Sequence, residues 1–259
     1  MRYYINMTTI TKRKYSWIPD LPDHRDLHYS VAPPVQGLPP LVDLRPGCPA
    51  VYDQGSLGSC TGNAIAADCE FDMIKQGQKA FTPSRLGIYY LERRLEGTIN
   101  QDAGAMIRDG IKVVAKYGVW SEKLQPYIIT NFKKAPTKVM LQEGIKHQAL
   151  TYERLDGSLN QIKTRLATGF PFAFGFTVYP EFESQEVAKS GIVPLPVGSE
   201  APLGGHAVLC VGYDDTKQCV IVRNSWGSNW GLNGYFYMPY SYITNSNLAT
   251  DMWAITRME

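Results

Sequence analysis

The spacing of apolar positions changes along this chain, from a helical repeat in its first half to an alternating one in its second. After Cys60, the run Thr61 to Gln76 carries Ala64, Ile65, Ala66, Ala67, Cys69, Phe71, Met73 and Ile74, apolar on more than one face, and meets Gly77. A helix that is apolar all round belongs in an interior, so this run predicts a buried helix with Cys60 at its N-terminus. Pro83, then Leu86, Ile88, Tyr89 and Leu91, predicts a second helix, because proline suits a first turn where the missing N–H is no loss. Ile107, Ile111, Val114 and Tyr117 ahead of Gly118 predict a third. A short helix is expected after Pro136 and another between Ser158 and Gly169, with Ala149 to Leu155 extended between them.

From Phe172 onward the repeat shortens. Phe172 to Val178, Ala207 to Tyr213, Cys219 to Arg223, Gly234 to Met238 and Met252 to Thr256 alternate or are rich in β-branched and aromatic residues, with Gly, Asp, Asn and Ser between them. Helices followed by antiparallel strands give an α+β class in two lobes, and the cleft between the lobes is the natural place for a site. Upstream, Pro19, Pro22, Pro33, Pro34, Pro39 and Pro40 each fix φ and remove a donor, which predicts an extended strap with the folded body beginning near Leu41.

Composition narrows the function. Of the 259 residues, 44% are hydrophobic and 19% charged, with 26 basic against 24 acidic side chains. That is globular composition, and its near-neutral balance offers no electrostatic reason to expect nucleic acid or an anionic membrane as partner. The N-terminus lacks the apolar core of a secretory signal and no later stretch has the length of a membrane span, so a cytoplasmic monomer, or export by a route the sequence does not display, is the expectation. Cys48, Cys60, Cys69, Cys210 and Cys219 show no metal-ligand spacing, and an odd number leaves at least one thiol free within the chain. Cys210 and Cys219 flank a turn-like Asp214-Asp215-Thr216; they could face each other as a disulfide, although packing as small buried side chains is the better reading.

Three short segments carry chemistry. In Gln54-Gly55-Ser56-Leu57-Gly58-Ser59-Cys60 the glycines allow a tight loop that delivers Cys60 to a helix N-terminus, where unpaired N–H groups favour thiolate over thiol. In Gly204-Gly205-His206-Ala207 a histidine opens an apolar strand, and in Arg223-Asn224-Ser225-Trp226 an asparagine ends the next, so that a hairpin can bring Asn224 beside His206. The asparagine can engage one ring nitrogen and leave the other facing the sulfur, while Trp226 screens that bond from water. Each piece alone has a plainer structural reading. Together, with His206 roughly 150 residues beyond Cys60 and Asn224 about 20 further, they match a known spacing of nucleophile, base and orienting amide.

On these segments residues 38 to 259 resemble the papain family of cysteine peptidases. The resemblance implies a papain-like fold, with a helical left lobe at about 48–130 and an antiparallel, β-barrel-like right lobe at about 131–259. It implies Cys60 as nucleophile, His206 as acid/base, Asn224 as its orienting group and Gln54 as oxyanion donor, with Trp226 and Trp230 as supporting aromatics. No cofactor is implied, and the partner is a peptide or protein substrate. Asp102-Ala103-Gly104-Ala105-Met106 is similar to the family's strand that pairs with substrate backbone. Met106 and Ile107 on one side, with Gly204 and Gly205 on the other, would bound the pocket for the residue two before the cut. Aligning through Trp253 puts Asp251 near that pocket's floor, unless it is a turn residue or strand-end acceptor. Residues 1–37 would be a pro-like regulatory extension lying at or over the cleft, or a strap packed elsewhere on the body.

Two departures stand out: Leu57 where family members usually have a disulfide cysteine, and Thr61 where they have an aromatic residue. With Trp17-Ile18-Pro19-Asp20-Leu21-Pro22-Asp23-His24-Arg25-Asp26 they point to the bacterial branch of the family. A silent peptide- or carbohydrate-binding homologue has no need of the full set Gln54, Cys60, His206 and Asn224. An acyl transferase of transglutaminase type would carry an acid in place of Asn224.

Overall fold

The computed structural model describes residues 13–30, 37–198 and 200–259. The three expected helices are α1 (Cys60–Lys75), α2 (Arg85–Leu95) and α3 (Ile107–Tyr117). α1 is central, and its buried residues run without a break from Cys60 to Met73. Gly62 lets α2 approach, since a Cβ there would lie 2.9 Å from the Arg85 carbonyl oxygen. The hydroxyl of Ser84 caps α2 by accepting from Gly87 N at 3.1 Å. Within α2, Arg93 is completely buried, and its guanidinium donates to the carbonyls of Ile99, Gln101 and Phe132. That clamp fixes the loop leading to residues 102–106.

Among the described residues, seven strands form one antiparallel sheet: β1 (Leu41–Asp43), β2 (Ala149–Arg154), β3 (Phe172–Val178), β4 (Gly204–Asp214), β5 (Cys219–Arg223), β6 (Tyr235–Pro239) and β7 (Ala249–Met258). Their order is β2-β7-β3-β4-β5-β6, with β1 added to β4. The sheet is open at β2 and β6, so the barrel-like lobe is a layer that does not close on itself. Alternation along its strands divides the interior in two. Ala173, Ala207, Leu209 and Val211 face a core shared with α1 and α3, while Phe172, Phe174, Phe176, Val208 and Cys210 face an aromatic core on the other side. The smaller helices α4 (Lys138–Gly144), α5 (Leu159–Ala167), α6 (Gln185–Ser190) and α7 (Tyr240–Ile243) complete the structure, the first two as expected after Pro136 and Ser158.

The lobes exchange small pieces. β1 belongs to the sheet although it precedes α1, and α4 seats the Gly144 carbonyl where a Cβ on Gly118 would stand. All five cysteines are free, so Cys210 and Cys219 act as packing residues.

Candidate active site

Cys60 is the first residue of α1 and is completely buried. Asn63 braces the turn before it, donating to Ser59 O at 2.9 Å. His206 stands on β4 opposite Phe176 of β3, and Asn224 follows β5 directly. The hairpin expectation holds: His206 Nε2 and Asn224 Oδ1 are 2.8 Å apart, both residues buried. The Trp226 ring stacks on the imidazole at 5.1 Å and 27°, and Trp230 meets Trp226 edge-on at 5.1 Å. With Nε2 committed to Asn224, Nδ1 has no hydrogen-bond partner.

Gln54 joins the two lobes. Its N–H donates to Ser225 O at 2.8 Å, its Oε1 accepts from Ser225 Oγ at 2.6 Å, and its Nε2 donates to Leu57 O at 3.0 Å. Ser225 N also donates to Asn224 Oδ1 at 2.9 Å, so one serine steadies both amides. Sequence reasoning did not single out Ser225, whose hydroxyl reaches a partner 171 positions away.

Residues 13–30 cross this site as an extended strap. Trp17 N donates to Gly205 O at 2.9 Å, Ile18 N to Ala105 O at 3.1 Å, and Ala105 N to Ser16 O at 3.2 Å. Gly104, with φ 80°, must be glycine, because a Cβ there would lie 1.7 Å from Ser16 O. The Trp17 indole is buried in a notch of β3 left by Gly175, where a Cβ would lie 1.9 Å from the ring. Gly104, Ala105 and Gly205 thus meet an extended peptide, and that peptide is the chain's own. Met106 gives its N–H to Glu96 at 2.8 Å.

Before the sulfur, Arg13 bonds Asp53 at 2.8 Å and lies over Trp226. Ser16 Oγ is 3.8 Å from Cys60 Sγ and donates to Gly58 O at 2.7 Å. Beyond Trp17 the fastening turns ionic. Asp20 accepts from Trp253 Nε1 at 2.8 Å and Arg108 N at 3.1 Å, and Asp26 pairs with Arg108 at 2.7 Å and Arg154 at 2.9 Å. Asp251 joins this cluster, accepting from Asp20 N at 2.7 Å and Arg154 at 3.0 Å. Its carboxylate is therefore a buried hydrogen-bond acceptor in this structure, the alternative weighed for it above.

Covering the site sets its electrostatics. Burial pushes the Cys60 thiol up, against opposing backbone N–H contacts from Ala207 and Thr61 and the Ser16 hydroxyl. Burial likewise pulls His206 down to about 4, with the Asn224 bond acting the other way. The helix N-terminus favours thiolate, but a dry roof penalises every charge beneath it. With the strap in place the neutral thiol and imidazole win.

A cysteine at a helix start, an imidazole fixed by an amide at the end of the next strand in the facing lobe and a peptide-pairing edge define a thiol peptidase of two-lobed fold. The family model for papain family cysteine proteases matches residues 38–256, and the chain belongs to that family. It is similar to the crystal structure of xylellain, a cysteine protease from Xylella fastidiosa, at 43% identity and a TM-score of 0.90, over 97% of this chain and 100% of that one. An uncharacterised peptidase C1-like protein of Acanthamoeba polyphaga mimivirus is 41% identical over 96% of this chain and 88% of its own length. A cathepsin B-like protein of Giardia intestinalis is 31% identical over 74% of this chain and 64% of its own.

Proposed function

We propose that this cysteine peptidase is an endopeptidase that works through Cys60, His206, Asn224 and Gln54 and is silenced by its own residues 13–30. The observation that carries the reading is the buried 2.8 Å contact between His206 and Asn224, which leaves Nδ1 unpartnered as the ring atom able to exchange a proton. With the strap withdrawn and water admitted, Cys60 passes its proton to His206, and the thiolate adds to a peptide carbonyl. The oxyanion takes hydrogen bonds from the Cys60 backbone N–H and from the Gln54 Nε2 hydrogen that Leu57 does not use. Collapse of the adduct expels the amine, which takes the proton from His206 and leaves a thioester. Water, giving a proton to His206, hydrolyses the thioester and restores the thiol.

Endopeptidase action is supported by the course of the strap, which enters the cleft over Trp226 and leaves it past Ala105, so chain is accommodated on both sides of the sulfur. Silencing is supported by what the strap presents to Cys60. It meets the sulfur with the Ser16 hydroxyl at 3.8 Å, while the Ser16 carbonyl accepts from Ala105 N.

The test is an epoxysuccinyl inhibitor of papain-like enzymes followed by peptide mapping. Its adduct is expected on Cys60, and Cys60→Ala is expected to abolish both adduct and hydrolysis; turnover surviving that change would refute the assignment. A chain shortened to begin near Gly37 is expected to show higher kcat/KM than the full chain, and equal values from two folded proteins would remove the silencing claim.

A further inference from the structure

We infer that Asp102 selects a lysine or arginine as the residue immediately before the scissile bond. The inference rests on the reading of Cys60 as nucleophile and adds a specificity-determining residue to it.

Asp102 and Cys60 stand at the two ends of one short loop. The Asp102 carboxylate accepts from Gly58 N at 3.1 and 3.2 Å and from Tyr89 OH at 2.6 Å. Tyr89 OH accepts in turn from Gly104 N at 3.1 Å, which ties the nucleophile loop to the peptide-pairing edge. These bonds hold the carboxylate in one orientation, with an oxygen turned toward the cleft. That oxygen is not idle, since the strap places Lys14 Nζ on it at 2.7 Å. The same ammonium also donates to the Asp102 carbonyl oxygen, so two acceptors of one residue converge on a single cation.

The Lys14 contact shows that a long cationic side chain can reach this wall of the cleft. When the strap withdraws, Lys14 leaves and Asp102 keeps its other bonds, presenting an unpaired, fixed carboxylate to whatever follows. Asp102 lies on the segment that pairs with peptide through Ala105, which its likeness to the family's substrate-pairing strand puts on the acyl side of the sulfur, and it bonds Gly58, whose carbonyl accepts from the Ser16 hydroxyl beside Cys60. A long cationic side chain next to the cut on that side can reach it; a short or acidic one cannot make the pair. The strap's other cation near the sulfur, Arg13, meets Asp53, whose side chain is 55% exposed against 19% for Asp102. Asp102 is the less exposed of the two carboxylates and the one bonded through Tyr89 to the peptide-pairing edge, so the selectivity is assigned to it.

The experiment measures kcat/KM for three peptides differing only before the cut, with lysine, norleucine or glutamate there. It is run with the full chain and with a full chain carrying Trp17→Ala to loosen the strap. Lysine is expected to exceed norleucine on the order of tenfold, glutamate to fall well below both, and 0.5 M salt to narrow the gap. Asp102→Asn in each background keeps an acceptor for Gly58 N and is expected to bring the lysine and norleucine values together. Equal values for lysine and norleucine in a protein that turns over both overturn the inference, whatever the Asp102→Asn protein does. A lysine preference that survives in active Asp102→Asn protein overturns it too. No turnover of any peptide in either background, with Cys60 inert to the epoxysuccinyl reagent, strikes instead at the peptidase reading beneath it.

Discussion

The two stretches of the strap on either side of Ile18 are held by different physics. From Arg13 to Ile18 it occupies the ground a substrate would use, through main-chain bonds to Ala105 and Gly205 and an indole filling the Gly175 notch. From Asp20 to Asp26 it lies beyond the sulfur and is held by ion pairs to Arg108 and Arg154 and by hydrogen bonds to Asp251 and Trp253. If residues 13–30 silence the enzyme as proposed, the first stretch competes with substrate directly and the second sets how often the first lets go.

The sharpest way to break this division is at Trp17. Truncating a buried tryptophan costs about 3–5 kcal/mol, so Trp17→Ala is expected to raise kcat/KM of the full chain on the order of a hundredfold in a fluorogenic assay. An unchanged value would mean that the indole does not hold the strap down. At the latch, Asp26→Asn leaves Arg108 and Arg154 without their shared carboxylate while keeping a polar group in place. An increase of roughly ten- to thirtyfold is expected there, with KM for peptides on the freed enzyme equal to that after Trp17→Ala. A different KM would show that the latch also shapes the substrate pocket.

Acidity supplies a third probe. Burial, and then the neighbouring Asp251 carboxylate, raise Asp20 to about 6, while Arg108 and the Trp253 bond act against the shift. A group whose docked pKa lies above its free value stabilises docking fully below the free value, near 4, and loses that stabilisation as pH rises through the docked one. The strap is therefore expected to tighten on acidification from pH 6 to 4, by up to tenfold per pH unit, read as protection of Cys60 from iodoacetamide. Asp20→Asn is expected to flatten that dependence; protection that instead weakens toward pH 4 would reverse the sign and the argument. The smallest effect belongs to Lys14→Gln. Lys14 is 46% exposed, and half-exposed pairs contribute about 0.2–1 kcal/mol, so a rise of no more than about fivefold in full-chain activity is expected.

What could be read in the sequence divides by the range of the interactions that specify it. α1 and the strands announced themselves through local periodicity, although β4 begins at Gly204 and β7 runs from Ala249 to Met258, longer than Met252 to Thr256. The added residues are mostly glycine and polar, among them Gly204, Gly205, Asp214, Thr250, Asp251 and Arg257, recruited by ladder bonds that no window of alternation reports. Cys60, His206 and Asn224 were legible because each sits in a motif whose backbone setting is itself local. Asp102 was not, since its partners are Gly58 and Tyr89, reached only through the fold. One clue was available: Leu57 announced a missing staple beside the nucleophile, and hydrogen bonds to Asp102 now tether that loop. The ion cluster was equally hidden, because Asp26 meets arginines 82 and 128 positions away.

The strap is part of the chain it covers, and this changes how tightly it has to bind. A tethered segment faces its site at an effective concentration in the millimolar range, so even modest intrinsic affinity keeps the cleft filled. Dilution of the enzyme leaves that occupancy untouched. One cut between the docked segment and β1 turns the same segment into a free peptide, which dilution then carries away. On the proposed silencing, the switch from silent to active is governed less by the contacts themselves than by whether they are made within one molecule or between two.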